Sequence, residues 1–130
     1  MLFFGHRFLE NEKLYHVNDI ESISKTPSNS NIYLGFHEKN LDIIEHLNEN
    51  GVSFTLSVAN VTELAYASAL NAKYIVVNPA LAKTAQSIAE SYLFDAKILV
   101  NIESEDEIEE MLLLNVDGVL FSNAVVKINS

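Results

Sequence analysis

The sequence predicts an α/β fold: about five sequential βα units with a mainly parallel sheet, behind an N-terminal β-hairpin, in one domain over residues 1–130. Short runs rich in Val, Ile and Leu begin every 21 to 23 residues, and the intervals between them mostly hold helical patterns. Polar residues suited to helix N-caps follow several of these runs. Strand, helix and strand at this interval predict right-handed crossovers and therefore parallel strands.

The first third of the chain departs from this period. Two β-rich stretches, Leu2–Leu9 and Lys13–Val17, flank the polar residues Glu10–Glu12, and this arrangement predicts either the hairpin or one strand with a polar excursion. Asp19 suits the N-cap of a short helix over Ile20–Ser24, and a polar loop over residues 26–31 follows it.

The five strands of the period are predicted from continuous apolar runs, which are typical of strands that are buried on both faces. They cover Ile32–Phe36, Ser53–Val58, Tyr74–Val77, Lys97–Ile102 and Gly118–Phe121.

The helices are predicted from apolar side chains at helical spacing: Asn40–Asn50, Val61–Asn71, Leu81–Tyr92 and Ile108–Val116. Their starts carry capping residues. Asn60 and Asn78 precede the second and third helices, and Ser104 with Glu107 forms a capping box before the fourth.

Composition excludes several classes of protein. The chain has 130 residues, of which 48% are hydrophobic, enough for one core. Without cysteine it forms no disulfide and performs no thiol catalysis. A net charge of -10 argues against nucleic acid and anionic membranes as partners. The N-terminus lacks a signal-peptide pattern and no apolar run is long enough to span a membrane, so a cytoplasmic location is expected.

Polar residues follow the predicted strands, where ligands bind in parallel α/β folds. This set is rich in amides: His37, Glu38, Ser57, Asn60, Asn78, Asn101, Glu103, Ser122 and Asn123. It indicates either a neutral hydrogen-bonding pocket or, for Asn60 and Asn78, side chains committed to capping helices. His37 beside Glu38 is either a general base or a metal ligand, with Glu103 as the second rim carboxylate, or else a solvated surface residue.

Several motifs are absent from the sequence. It contains no GxGxxG, Walker or GxSxG pattern and no HExxH or HxH spacing. We therefore expect neither a cofactor nor a metal.

Residues 69–126 resemble the last βα units of a TIM barrel. The run Lys97–Asn123, with Asn115-Val116-Asp117-Gly118 before its final strand, is similar to the closing segment of glycerophosphodiester phosphodiesterases. Gly5-His6-Arg7 is similar to the His-Arg pair after the first strand of that family. The resemblance implies a barrel-like scaffold with His6 and Arg7 as site residues.

The family's catalytic set is not present. Phe8 stands where the family has a glycine after the His-Arg pair, and no Glu-x-Asp occurs near Ile32–His37. The chain is also half the length of a complete barrel, which has about 250 residues.

Two architectures fit the pattern: an open three-layer sheet with helices on both faces, and a half TIM barrel. Apolar residues beyond the helix faces, at Leu113, Leu114 and Tyr92–Phe94, indicate either a homodimer interface or helices buried on two sides within one chain.

Two functions follow from these observations. The first is a non-catalytic binding or interaction module. The alternative is a small barrel-like enzyme or ligand-binding domain for a small polar, phosphorylated metabolite, in which His6, Arg7, His37 and Glu103 meet at one rim. The candidate ligand-binding residues are His6, Arg7, His37, Glu38, Asn101, Glu103 and Asn123.

Overall fold

A computed structural model describes residues 1–128, which form eight strands and five helices. The strands are β1 (Leu2–Phe4), β2 (Leu14–His16), β3 (Asn31–Gly35), β4 (Phe54–Ser57), β5 (Tyr74–Val77), β6 (Lys97–Asn101), β7 (Gly118–Leu120) and β8 (Val125–Lys127). The helices are α1 (Ile20–Ile23), α2 (Leu41–Glu49), α3 (Val61–Ala69), α4 (Pro79–Ser91) and α5 (Ile108–Leu113). Single 3-10 turns cover Glu38–Asn40, Glu105–Glu107 and Ser122–Ala124.

All eight strands belong to one sheet in the order β1-β7-β6-β5-β4-β3-β2-β8, and every pairing is parallel. From β3 to β7 the strands follow one another in chain order, each joined to the next through a helix. The predicted parallel α/β architecture is confirmed.

The predicted N-terminal hairpin is wrong. β1 pairs with β7, where Leu2 lies opposite Gly118, and β2 pairs with β3 and β8, where Leu14 lies opposite Asn31 and Val125. The polar residues between β1 and β2 therefore carry the chain back across the sheet to begin a second parallel strand. The hydrophobic pattern marked both strands but held no information about their partners, which lie far away in sequence.

A contact across one face demonstrates that the sheet is curled. Two strands separate β1 from β5, so in a flat sheet their axes would lie about 14 Å apart and their side chains would stand side by side. The rings of Phe4 and Tyr74 nevertheless meet edge to face, with their centroids 5.1 Å apart. The sheet is an open, curled half-barrel, so the second of the two predicted architectures is the observed one.

The two faces of this sheet have separate cores. On the convex face, strand residues such as Ile32 and Leu34 pack with the helix residues Ile44 and Leu47 in the larger cluster. The concave face holds a smaller cluster to which no α-helix contributes: Phe4, Leu14, Tyr74, Val76, Leu99, Leu120 and Ala124. In the described part of the chain, helices thus cover only the convex face, and the concave face stays available to loops at its ends.

The helices α2 to α5 end in the same way. Each is followed by a residue in the left-handed region, at Gly51 (φ 64°), Asn71 (φ 73°), Leu93 (φ 53°) and Asn115 (φ 60°). The next amide donates back to a carbonyl of the last helical turn, as Val52 does to Leu47 at 2.9 Å. This repeated helix end returns the chain to the start of the next strand.

Candidate functional site

The carboxyl ends of parallel strands lie at one edge of a sheet, and the residues that follow these ends are called the carboxyl rim below. His6 and Arg7 follow β1, His37 follows β3, and Asn101 is the last residue of β6. The parallel pairings therefore place the sequence-predicted candidates along one edge. The side chains of His6, His37 and Asn101, however, line three different cavities.

His6 is packed inside an aromatic cluster. Its side chain is only 6% exposed. It contacts the rings of Phe3, Phe8 and Phe121 edge to face at centroid distances of 5.8, 4.7 and 5.7 Å. Nδ1 accepts a hydrogen bond from the Phe8 amide at 3.3 Å, and Nε2 lies 2.9 Å from Oε1 of Glu105. Both ring nitrogens are therefore engaged, which leaves no lone pair for a general base.

Arg7 also binds Glu105, at the rim surface. Its Nε donates to Oε1 at 3.0 Å and its Nη2 to Oε2 at 3.3 Å, so the pair is bidentate. The hydrogen bond from Arg7 lowers the pKa of the Glu105 carboxyl, and the same contact raises the pKa of Arg7. His6, Arg7 and Glu105 thus fasten the loop after β1 to the turn before α5.

The carboxylate that meets His6 is therefore Glu105 and not Glu103. The backbone amide of Glu103 donates to Oε2 of Glu107 at 2.8 Å, and the residue itself is exposed. Ser104 caps the turn with its hydroxyl, and this capping box turns Glu105 toward β1. A sequence pattern of six nearby acidic residues does not distinguish which one faces the histidine.

His37 lies in a different place from His6. Its Nδ1 accepts a hydrogen bond from the amide of Lys39 at 3.4 Å, so the ring serves as the N-cap of the Glu38–Asn40 turn. Glu38 is exposed as the first residue of that turn. His37 and His6 line separate cavities.

The amides of Asn60 and Asn78 cap helices. Oδ1 of Asn60 accepts from the Glu63 amide at 2.9 Å, and Oδ1 of Asn78 accepts from the Leu81 amide at 3.0 Å. Glu63 completes the first cap through its Oε1, which accepts from the Ala59 amide at 2.9 Å. The capping interpretation of these two asparagines is confirmed.

A cavity opens at the middle of the rim, between the ends of β3 and β6. We call it the polar mouth. It has a volume of about 390 Å³, and its lining includes Gly35, Phe36, Ser57, Asn78 and Asn101. Neither the Ser57 hydroxyl nor the Asn101 amide makes a hydrogen bond with any group in residues 1–128. This cavity therefore offers polar groups that no neighbour in that range occupies.

Asn123 belongs to a smaller cavity of about 270 Å³, which it lines with Gly5, His6 and the loop before β2. A Cβ placed on Gly5 would lie 2.6 Å from Oδ1 of Asn123, and Gly5 has a φ of 80°. Glycine is thus required here, since the asparagine packs against the backbone at the end of β1.

A third cavity, the basic cleft, adjoins the polar mouth. It has a volume of about 530 Å³ and is lined by His16, Asn18, Gly35, Phe36, His37 and Lys39, with Val17 and Asn40. Sequence reasoning placed His16 in a hairpin and did not connect it with His37. The two histidines are close because β2 pairs in parallel with β3, which brings both strand ends to the rim. Predicting this closeness would have required predicting that pairing.

No group of three or more His, Asp or Glu side chains in residues 1–128 is arranged to hold a metal ion. The same part of the chain has no helix with the length and apolar character needed to cross a bilayer.

The surplus apolar residues divide into two groups. Phe94 and Leu114 pack partly buried against the convex core, as the one-chain interpretation expects. Tyr92, Leu93 and Leu113 remain 77%, 84% and 76% exposed. The homodimer stays a prediction.

The fold and rim define the chain as an α/β half-barrel with cavities at the carboxyl ends of its strands. No protein-family model matches this chain, and no curated protein matches it significantly. The resemblance to glycerophosphodiester phosphodiesterases therefore stays a prediction.

Proposed function

We propose that the protein is a non-catalytic binding module that takes a small polar molecule in the polar mouth. The observation that carries this proposal is the mouth itself, with the Ser57 hydroxyl and the Asn101 amide uncommitted within residues 1–128. Its volume of about 390 Å³ lies within the range of about 300–1,000 Å³ that is usual for small-molecule sites. Hydroxyl and amide groups recognise neutral hydrogen-bonding ligands such as sugars and polyols.

The state of His6 and His37 supports binding rather than catalysis. A general base needs a lone pair within reach of the proton that it removes. His6 has both ring nitrogens engaged, and Nδ1 of His37 accepts from the Lys39 amide. An enzyme that used His6 or His37 as its base, in the alternative function on a small phosphorylated metabolite, would need one of these contacts to break.

Titration of the ¹⁵N-labelled protein with a panel of neutral sugars and polyols tests the proposal. We expect chemical-shift changes at the Asn101 side-chain amide and the Ser57 backbone. Asn101→Ala should weaken binding about tenfold, the effect of removing hydrogen bonds to the ligand. Ser87→Ala, at an exposed position of α4, is the matched control and should bind normally.

Two results would contradict the proposal. If none of the sugars and polyols shifts a resonance at the carboxyl rim, the proposed binding function is wrong. Conversion of a bound sugar during prolonged incubation, followed in the ligand's own spectrum, would make the protein an enzyme.

A further inference from the structure

The side chains that line the basic cleft differ in charge from the protein as a whole, which is acidic. The chain holds 18 Asp and Glu against 8 Lys and Arg. Among residues 1–128, the lining of the cleft nevertheless includes His16, His37 and Lys39 and no acidic residue. A protein of net charge -10 repels anions in general, so a cavity lined by none of the Asp and Glu residues in this range is where a small anion meets the least repulsion.

The donors of the cleft are arranged by the fold. Because Nδ1 of His37 accepts the amide of Lys39, the proton of the neutral ring is on Nε2, which is left as a donor. His16 is half-buried at the end of β2, with its ring edge to face with Tyr33 at 5.8 Å. Lys39 contributes a flexible ammonium group, a point charge suited to phosphate.

The cleft and the polar mouth share Gly35 and Phe36 in their linings. A Cβ built on Gly35 would meet no heavy atom within 4 Å, so the space above this residue is open. The two cavities are therefore continuous past Gly35, and one ligand can occupy both.

We propose that the basic cleft binds the phosphate of a phosphorylated polar metabolite, such as a sugar phosphate, whose neutral part occupies the polar mouth. This inference rests on the proposed function, because the neutral part is the ligand assigned to the mouth. It adds the anionic group and the residues that hold it: His16, His37 and Lys39.

The surroundings of His16 supply a direct reporter of anion binding. Burial lowers the pKa of His16, and the nearby Lys127 lowers it further. Within residues 1–128, the other titratable groups that line the cleft or touch the ring are His37, Lys39 and Tyr33, none of which carries a negative charge at neutral pH. A phosphate bound beside the ring opposes the effects of burial and of Lys127, and therefore raises the pKa of His16.

The experiment is an NMR titration of the histidine Cε1–H resonances with three probes: inorganic phosphate, glucose and glucose 6-phosphate. Inorganic phosphate should raise the pKa of His16 and leave the Cε1–H resonance of His46, on α2 outside the cleft, in place. Glucose 6-phosphate should bind at least about tenfold more tightly than glucose or phosphate alone, because it engages both cavities.

Matched variants separate the cleft from general electrostatics. Lys39→Gln and Lys83→Gln remove the same charge, but Lys83 is an exposed residue of α4. Lys39→Gln should weaken phosphate binding about tenfold while Lys83→Gln leaves it unchanged. Gly35→Val fills the space between the cavities and should abolish the advantage of glucose 6-phosphate without affecting inorganic phosphate.

The outcomes are distinguishable. Equal losses in the two lysine variants, an unchanged His16 pKa, or an equal response to acetate would overturn the phosphate site. Glucose binding at Asn101 without phosphate binding would contradict only this inference and leave the proposed function standing. Phosphate binding at His16 with no sugar at Asn101 would leave an anion site and remove the proposed function.

Discussion

Replacing Gly118 with alanine tests how closely β1 packs against the rest of the sheet. Gly118 begins β7 and pairs with Leu2 of β1. A Cβ at this position would lie 2.8 Å from the Leu2 carbonyl oxygen, 2.9 Å from its Cβ and 2.7 Å from Cδ2 of Leu99. The Leu99 methyl can rotate away, but the Leu2 backbone cannot unless β1 moves.

The expected cost follows from two opposing effects. Overpacking a core position destabilises a protein by about 1–3 kcal/mol. Replacing glycine by alanine also restricts the unfolded chain, which stabilises by about 0.4–1 kcal/mol. Gly118→Ala should therefore lower the free energy of unfolding by about 1–2 kcal/mol. For a domain of this size that is a fall of about 4–8 °C in Tm.

Urea unfolding and hydrogen exchange at the Phe4 amide are the assays, and Gly35→Ala is the control. Gly35 lies in β3 of the same sheet, where a Cβ meets nothing within 4 Å, so only the unfolded-state effect remains there. Its variant should match the parent protein or be slightly more stable. Identical urea midpoints for the two variants, with unchanged exchange at Phe4, would refute the close packing of β1 on β7.

Three further predictions concern stability and pH. His6→Ala should lower the free energy of unfolding, measured with urea, by about 2–4 kcal/mol. It removes three ring contacts of about 0.5–1.5 kcal/mol each and the bond to Glu105. A loss smaller than that of an alanine variant at an exposed position would contradict the packing of His6 in the aromatic cluster. Leu93→Gly should raise the free energy of unfolding by about 0.5–1 kcal/mol. The left-handed backbone (φ 53°) costs leucine about 1–2 kcal/mol, and glycine avoids this cost but loses more conformational entropy on folding. A lower Tm for the variant would contradict this prediction. Burial and the nearby Glu12 raise the pKa of Tyr74 from 10.0 to about 12. The folded state keeps a proton that the unfolded state releases, so this contribution to stability is complete below pH 10 and is lost as the pH rises toward 12. Absorbance titration at alkaline pH should find one tyrosine ionising after the others, and five that ionise together would exclude the shift.

The βα period was the most informative part of the sequence for the fold. The strands β3 to β7 are buried enough to produce continuous apolar runs, and each follows the last at the βα interval, which located even the three-residue β7. β1, β2 and β8 also have three residues each, but they lie outside this interval. A segment of three residues carries no register signal of its own, and β1 finds its partner more than a hundred residues away. Non-local pairing of this kind is decided by the assembled sheet, so the hairpin prediction failed where local pattern was the only guide.

The candidate site was predictable to the extent that it follows from chain order. Placing Asn101 and His37 at the carboxyl rim required only parallel strands. The partner of His6 could not be predicted, because the choice between Glu103 and Glu105 depends on the direction of one capped turn. His16 was missed for the same reason as the hairpin, since its closeness to His37 depends on the pairing of β2 with β3.

Capping and binding need not be alternatives at this rim. His37 caps the 3-10 turn before α2, Asn60 caps α3 and Asn78 caps α4, and each cap consumes one polar atom of its side chain. The remaining atom is a donor: Nε2–H of the neutral histidine and the Nδ2 amide of each asparagine. His37 lines the basic cleft and Asn78 lines the polar mouth, so at these two positions the capping hydrogen bond also fixes a side chain that lines a cavity. Capping thereby fixes one donor at each of two neighbouring cavities. A histidine at the capping position supplies an imidazole N–H to the basic cleft, and an asparagine supplies an amide N–H to the polar mouth. The residue type at the cap therefore determines which ligand group can bind there.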